Sequence, residues 1–125
     1  MHSEIRFPDT LIDAFTNAKI IGVRSGTQHA YTGVWVVVVK GRVYARSWND
    51  KPTGWFRAFK REPEGMAQVA THELAVRASF PRSARVLSAV TQAFAEKYNT
   101  KASRKWVEGF AESARESTTV EFVPR

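Results

Sequence analysis

The sequence predicts an α+β protein, a small antiparallel β-barrel of about six strands with three or four helices. Two apolar runs meet directly across Lys40-Gly41, so they are antiparallel neighbours and cannot form a βαβ unit. The other strand-like runs are short and lie between glycines or polar turns. Only residues 84–98 sustain a long helical spacing of apolar side chains. Small antiparallel barrels combine these features.

Length and composition indicate one folded domain over residues 1–125. A chain of 125 residues and 14.1 kDa buries roughly two-thirds of the surface that it exposes when unfolded. Hydrophobic residues (43%) and charged residues (25%) have ordinary values for a globular protein, and no internal repeat or long linker divides the chain. Since the sequence has no Cys, disulfides, thiol catalysis and thiolate metal ligands are excluded.

The positive charge is concentrated in one segment. Lys40–Arg61 has seven basic residues and one acid, and therefore carries +6 of the net charge of +7. Such clusters favour the phosphates of nucleic acids or nucleotide cofactors. No run approaches the ~20 apolar residues that cross a bilayer, and "MHSEIRFPDT" lacks the pattern of a signal peptide. We therefore expect a cytoplasmic protein with no membrane partner.

The first predicted elements are a helix and a strand. Leu11, Ile12 and Phe15 have helical spacing, and Asp9 is a suitable N-cap for this helix. Residues 19–26 follow as a strand that ends at Gly26, and a polar loop comes next.

The central hairpin has the clearest pattern. Residues 33–39 and 42–48 are β-branched and aromatic runs, joined at Lys40-Gly41 by a tight turn. The six consecutive apolar residues Val34–Val39 predict one central strand that is covered on both faces.

Shorter elements follow the hairpin. Thr53 is the expected cap of a helix over residues 54–62, and the next hairpin is expected to turn at His72-Glu73. Ser83 is the expected cap of the long helix, and residues 103–112 and 118–125 read as a short helix and a closing strand. The long helix carries one apolar stripe: Val86, Val90, Phe94 and Tyr98.

Alternation of side chains sorts the hairpin into two faces if Val39 pairs with Arg42. We expect the second face to meet a surface with both apolar area and negative charge. The first face is small and branched, which suits the interior of a narrow barrel: Val34, Val36, Val38, Val43, Ala45 and Ser47. The second face mixes rings with guanidinium groups: Trp35, Val37, Val39, Arg42, Tyr44, Arg46 and Trp48.

Three interpretations of this second face stay open. Arg stacks on Trp in many proteins that bind no ligand there, in which case the face is structural. It could instead meet a second subunit together with a cofactor that has a flat ring system and a phosphate. Tyr44, Arg46 and Trp48 also resemble a stacking platform for single-stranded nucleic acid, but the strand lacks an RNA-binding signature, which argues against this partner.

The order of elements resembles an uncharacterised bacterial family that is grouped with the flavin- and deazaflavin-binding split barrels. The resemblance covers roughly residues 10–124 and rests on "VYARSW", the later "GWFR" and the terminal "TTVEFVP". It implies a split β-barrel, usually a homodimer with flavin mononucleotide (FMN) or a deazaflavin at the subunit interface. The implied activity is hydride or electron transfer by an oxidoreductase; the alternatives are a dimeric small-ligand module without catalysis or cofactor, and a nucleic-acid-binding protein.

The resemblance also points to site residues. Deazaflavin-dependent members of the group hold cofactor phosphates with a loop G-R-x-S-G-x-x-R just before the hairpin. "GVRSGTQHAYTG" matches its middle, whereas His29 and Ala30 stand near the place of the second Arg. The predicted cofactor-binding residues combine this loop with the hairpin and the helix that follows: Arg24, Ser25, Gly26, Arg46, Ser47, Trp48 and Trp55.

Other chemistries lack their motifs in this sequence. His2, His29 and His72 share no ligand spacing, so we expect no metal site. Ser25 does not lie in a nucleophile elbow, and neither a phosphate loop nor a dinucleotide fingerprint is present. The sequence therefore identifies no catalytic residue, and any redox chemistry has to come from a bound cofactor.

Overall fold

A computed structural model describes residues 6–125; His2, one of the histidines considered above, lies outside them. These residues form seven strands, five α-helices and one short 3-10 turn. In chain order the elements are α1 (Asp9–Asn17), β1 (Ile20–Ser25), β2 (Thr32–Trp35), β3 (Val37–Val39), β4 (Arg42–Ala45), α2 (Trp55–Arg61), β5 (Glu64–Val69), β6 (His72–Ser79), α3 (Ala84–Lys97), the 3-10 turn Lys101–Ser103, α4 (Arg104–Phe110), α5 (Ser113–Glu116) and β7 (Val120–Pro124).

All seven strands of the described residues belong to one antiparallel sheet in the order β2-β1-β5-β6-β7-β4-β3. Its two edges, β2 and β3, follow each other in the chain and are separated only by Val36. The sheet therefore curls round into a nearly closed barrel. This confirms the predicted α+β fold, with one strand and one helix more than expected.

The apolar run Val34–Val39 is two strands, and the prediction of one central strand was wrong. β2 pairs with β1, whereas β3 pairs with β4 at the other edge of the sheet. Between them, the Val36 N–H donates to the Tyr98 hydroxyl at 3.0 Å, and Lys97 Nζ donates to the Val36 carbonyl at 2.7 Å. Side chains at the end of α3 thus replace the hydrogen bonds of a neighbouring strand, so the chain can bend here.

The central hairpin has the predicted register, with Val39 opposite Arg42. Lys40 (φ 52°) and Gly41 (φ 75°) both have positive φ, as a type I′ turn requires. The face predicted to be the interior packs in the main hydrophobic core, with α1 and α2 against it. Its apolar members there are Val34, Val36, Val43 and Ala45, with Val38 partly buried.

The turn of the second hairpin lies two residues earlier than predicted. The chain turns at Ala70-Thr71, where Ala70 has a φ of 53°. Because Val69 pairs with His72, the residues His72 and Glu73 already belong to β6. The position of this turn is therefore set by cross-strand pairing and not by the polarity of the pair His72-Glu73.

Helix caps were predicted correctly at one helix of three. Ser83 Oγ accepts a backbone N–H of the first turn of α3. Asp9 is not a cap, because α1 begins at Asp9 itself, after Pro8. The Asp9 carboxylate lies in the first turn, where its negative charge interacts favourably with the helix dipole. Gly54, not Thr53, precedes α2, and no side chain caps that helix.

Helix α3 covers the second face of the hairpin. A separate hydrophobic cluster joins Val37 and Tyr44 of the hairpin to Val90, Phe94 and Tyr98. The apolar stripe predicted for α3 therefore packs on β3 and β4. Helix α3 of the same chain therefore covers most of the second face of the hairpin.

Candidate ligand-binding site

All four tryptophans of the sequence line one cavity of about 520 Å³, which we call the aromatic cavity. It lies between β2, the segment after β4, the start of α2, and α4. Phe110 adds a fifth ring, and Lys51 and Asn49 add polar groups. A cavity of this size with several rings suits a flat aromatic ligand. The four tryptophans are Trp35, Trp48, Trp55 and Trp106.

Ring contacts fix the walls of the aromatic cavity. Trp35 stacks on Tyr98, with ring centroids 3.9 Å apart and planes 3° from parallel. Trp48 meets Trp106 edge-on at 4.7 Å and Phe110 at 5.3 Å. Because each ring is held by another, the walls need little ordering when a ligand binds.

Trp48 is held from two further sides. Arg115 Cζ lies 3.6 Å from the centroid of the Trp48 ring, and its Nε donates to the Trp48 carbonyl at 2.8 Å. The edge of the same ring lies against Gly109, where an added Cβ would be 2.2 Å from Trp48 Cη2. The position of this wall therefore depends on Gly109 of α4, because this residue has no side chain.

Arg46 lies at the floor of the aromatic cavity and is only 2% exposed. Its Nε donates to Thr119 Oγ1 at 2.7 Å, and its Nη2 to the Leu87 carbonyl at 2.8 Å. Its Nη1 donates to Thr91 Oγ1 at 2.7 Å and to the Phe110 carbonyl at 2.8 Å. Burial lowers the pKa of Arg46 to about 10, so the group is still charged at neutral pH. Arg46 thus ties the segment after β4 to α3, α4 and the segment before β7.

The nucleic-acid platform considered for the hairpin is not available. Tyr44 is 3% exposed and Arg46 is 2% exposed, so bases cannot stack on them. Ser47 is buried as well, and its N–H donates to Thr118 Oγ1 at 2.9 Å. Of the predicted platform, Trp48 alone offers a partly exposed ring.

A second cavity of about 430 Å³ adjoins the aromatic cavity, and we call it the basic cavity. Trp55 at the start of α2 lines both cavities. Arg24, His29 and Arg61 line the basic cavity, and none of its described lining residues is acidic. A cavity lined by cations and by no acidic residue favours an anion such as a phosphate.

Arg24 and Arg61 are the guanidinium groups of the basic cavity. Arg24 Cζ lies 4.5 Å from the centroid of the Tyr31 ring, and its Nη1 makes a long hydrogen bond of 3.4 Å to the His29 carbonyl. Arg61 is exposed and donates through Nη1 to the Pro52 carbonyl at 3.1 Å. Both side chains are anchored at one end, and a guanidinium has five N–H donors in all.

Ser25 and Gly26 have mainly structural contacts. The Ser25 hydroxyl lies 2.6 Å from the Glu62 carbonyl and 3.1 Å from the Ala58 carbonyl, so it joins β1 to the end of α2. Gly26 has a φ of 62°, and an added Cβ would lie 2.8 Å from a Glu62 carboxylate oxygen. The loop therefore needs Gly here for its backbone and for the close approach of Glu62.

Six of the seven predicted site residues line one or both of the two cavities. Arg46, Ser47 and Trp48 line the aromatic cavity, Arg24 and Ser25 line the basic cavity, and Trp55 lines both, whereas Gly26 lines neither. Several lining residues were not predicted from the sequence, although the high Trp content was a usable signal for two of them. The missed residues include Trp35, Lys51, Arg61, Trp106 and Phe110.

Comparison with known proteins identifies the family. Residues 10–122 match a family model described as uncharacterised protein conserved in bacteria, DUF2255. The chain belongs to the DUF2255 family. The match agrees with the extent of the resemblance noted from the sequence. No curated protein matches this DUF2255 chain.

Two solved structures share the fold of this DUF2255 protein. The conserved hypothetical protein Rv2991 from Mycobacterium tuberculosis has a TM-score of 0.64 and 14% identity, over 100% of this chain and 85% of that one. A heme binding protein from Mycobacterium smegmatis has a TM-score of 0.52 and 13% identity, over 97% of this chain and 52% of that one. The DUF2255 chain thus spans about half the length of the heme binding protein. At these identities the similarity shows the split-barrel-like fold alone.

The described part of the DUF2255 structure has neither a cluster of metal-ligating side chains nor a membrane-spanning helix. Across residues 6–125, no three His, Asp or Glu side chains come together in a group that could hold a metal ion. Over the same residues, no helix has both the length and the apolar character needed to span a bilayer.

Proposed function

We propose that this DUF2255 protein binds a flavin or deazaflavin nucleotide, with the ring system in the aromatic cavity and the phosphate in the basic cavity. One observation carries the proposal: all four tryptophans line a single cavity that adjoins a basic one. Rings stack on a flat ligand, and guanidinium groups bind phosphate. The mycobacterial heme binding protein of similar fold supports a cofactor-binding use of such a barrel.

The residues present fit the two halves of the ligand unequally. The aromatic cavity, at about 520 Å³, has the usual size for a small-molecule site. For the phosphate, Arg46 and Ser25 offer less than their sequence positions suggest, because their donors already serve other parts of the chain. We therefore assign the phosphate contacts to Arg24 and Arg61, with His29 beside them.

The donor set favours a flavin over a heme. Heme iron in proteins is held by His, Cys, Met or Tyr. Among the described residues that line the aromatic cavity, none is of these four types. A flavin needs no axial ligand. The stacking and the hydrogen bonds that it does need are supplied by Trp35, Lys51 and Asn49.

A bound flavin or deazaflavin supplies hydride or electron transfer. The chain's residues bind and orient it: the tryptophans exclude water from the ring, and Arg46 holds the Phe110 carbonyl and so the wall in α4.

We also propose a homodimer whose interface completes the cavity. Two large apolar residues of its lining, Ile20 and Trp106, are 51% and 40% exposed and are candidates for that contact.

Fluorescence titration tests the binding. FMN and a deazaflavin should quench Trp fluorescence saturably, because every tryptophan lies at the site. Riboflavin, which lacks the phosphate, should bind about ten-fold more weakly than FMN, since a charge-assisted phosphate contact contributes roughly 1.5 kcal/mol or more. Arg61→Ala should reduce this difference between the two ligands, and Arg24 should retain the rest. Arg77→Ala, an exposed residue of β6 that lines neither cavity, is the matched control.

Other outcomes would assign a different function. The absence of saturable quenching by any flavin would reject the cofactor site. Binding of FMN without its reduction by a reduced nicotinamide nucleotide would identify a ligand-binding module without catalysis. A single-stranded oligonucleotide that binds tightly and loses affinity steeply with salt would instead indicate a nucleic-acid-binding protein.

A further inference from the structure

The bend at Val36 opens a gap in the sheet beside the aromatic cavity. In the register of the central hairpin, Gly33 would lie opposite Trp48 if the two strands continued past the bend. β2 instead pairs with β1, so the ladder between β3 and β4 stops at the bend. β2 and residues 46–49 border this gap, and both line the aromatic cavity. The aromatic cavity therefore lies where two strands of one hairpin separate.

The pairing of β1 shows which main-chain groups of β2 face this gap. In the register of the β1–β5 pair, the Gly26 N–H donates to the Glu64 carbonyl at 2.8 Å. Because successive residues of a strand bond to opposite sides, the even-numbered residues of β1 bond β5 and the odd-numbered residues bond β2. Val23 therefore bonds its partner Thr32. The next residue, Gly33, directs its N–H and C=O away from β1 and towards the gap.

Gly33 leaves these two groups open to a ligand. Within residues 6–125, β1 is the only strand that pairs with β2, and no loop backbone bonds to Gly33. Gly33 is exposed and lines the aromatic cavity. Since it has no side chain, a flat molecule can approach its backbone closely. An unpaired strand edge of this kind presents a donor and an acceptor side by side.

We propose that the main-chain N–H and C=O of Gly33 bind the imide edge of the ligand ring, in place of the missing strand. An imide has an N–H next to a C=O, and these groups complement the C=O and N–H of a strand residue. The pyrimidinedione end of a flavin or deazaflavin has this edge. The tryptophans of the cavity favour a ring over an added peptide strand. The inference rests on the proposed function and adds which edge of the ring the chain recognises.

Two ligands test the acceptor half of this contact on the unmodified protein. In 3-methyl-FMN a methyl group replaces the imide hydrogen, so the bond to the Gly33 carbonyl is lost while the rest of the ring is unchanged. In titrations of Trp fluorescence, 3-methyl-FMN should bind about ten-fold more weakly than FMN, because the carbonyl is left without its donor. Equal affinities would overturn this inference and leave the flavin site in place. No saturable response to FMN would reject the flavin site and this inference with it.

Two substitutions test the donor half. Gly33→Pro removes an N–H that no strand bond uses, and edge strands tolerate Pro at such a position. Gly33→Ala is the matched control, because it also adds a Cβ, 3.1 Å from Ile20 Cγ2, but keeps the N–H. Gly33→Pro should bind FMN roughly ten-fold more weakly than Gly33→Ala. Equal affinities of the two variants would overturn the assignment to Gly33. The comparison of FMN with 3-methyl-FMN does not depend on whether Gly33→Pro folds.

Discussion

Arg46 shows how one buried side chain holds the candidate site together. Its guanidinium is enclosed by two hydroxyls and two carbonyls, which belong to α3, to the end of α4 and to the segment before β7. A cation of this kind stabilises a fold only while its hydrogen bonds are complete. Arg46 therefore acts on the aromatic cavity by positioning Phe110.

Replacement of Arg46 should destabilise the protein strongly. Arg46→Met keeps much of the volume but leaves the Thr91 and Thr119 hydroxyls and two buried carbonyls without this donor. We expect the free energy of unfolding to fall by roughly 3 kcal/mol or more, measured by urea denaturation. Arg57→Met is the matched control, because Arg57 is exposed and pairs with Asp50 at the surface. Equal unfolding midpoints for the two variants would contradict a structural role of Arg46.

Lys97 makes the stability of the protein depend on pH. Its pKa is about 8 in the folded chain and ordinary, near 10.5, in the unfolded chain. Between these values the unfolded chain binds more protons, so the free energy of unfolding should rise as the pH increases from 8 to 10.5. Below pH 8 the group contributes no slope.

A comparison with Lys97→Met isolates this effect. Burial raises the pKa values of Tyr31 and Tyr44, and that of Tyr98 to about 12, so these groups lower stability only above about pH 10. The two proteins should therefore be compared between pH 8 and 9.5 by urea denaturation. The wild-type protein should gain stability relative to Lys97→Met across this window. If the free energy of unfolding changed with pH in parallel for the two proteins, Lys97 would titrate normally in the folded state.

The residues of the site were predictable where the chain itself brings them together. Arg46, Ser47 and Trp48 are adjacent, and their alternation along the hairpin was visible in the sequence. The burial of Arg46 was not, because its partners Thr91 and Phe110 lie 45 and 64 residues further along the chain. A local pattern can place a side chain on a face, but only the tertiary fold decides what covers that face.

At the scale of the elements, the same limit explains the bend at Val36. The run Val34–Val39 contains no Gly or Pro, so nothing local predicts a break. The break is stabilised by the side chains of Lys97 and Tyr98, about 60 residues away. The cap at Ser83 was predictable for the opposite reason, because donor and acceptor lie in the same turn.

Helix α4 must carry Gly109 to hold Trp48 in the cavity wall. In Gly109→Ala the new Cβ would lie 2.2 Å from Trp48 Cη2, and Arg115 on the face of that ring hinders its retreat. We expect a loss of about 1–3 kcal/mol in the free energy of unfolding, together with a changed Trp emission. Glu108→Ala, an exposed position on the same helix, is the control and should change neither. Unchanged stability in Gly109→Ala would mean that Trp48 moves freely, and the wall would then not be rigid.

At the scale of the whole molecule, the cavity is assembled from distant parts of the chain. Trp35 and Trp48 come from the two ends of the central hairpin, and Trp106 comes from a helix that follows nearly sixty residues after Trp48. Closure of the barrel brings β2 and the segment after β4 together, and α4 covers them. The remaining open side is the rim at Ile20 and Trp106, the most exposed large apolar residues of the described chain.

In the proposed dimer, this rim belongs both to the subunit interface and to the lining of the ligand cavity. Trp106→Glu places a charge among apolar groups, so it should shift the wild-type dimer to monomer in sedimentation velocity and weaken FMN binding together. Ser88→Glu adds the same charge at an exposed position of α3 outside the cavities and should leave both properties unchanged. A wild-type protein that is monomeric at every concentration would reject the dimer. Loss of FMN binding by Trp106→Glu in such a monomer would still place the ligand against Trp106, because the ring lines the cavity of the same chain.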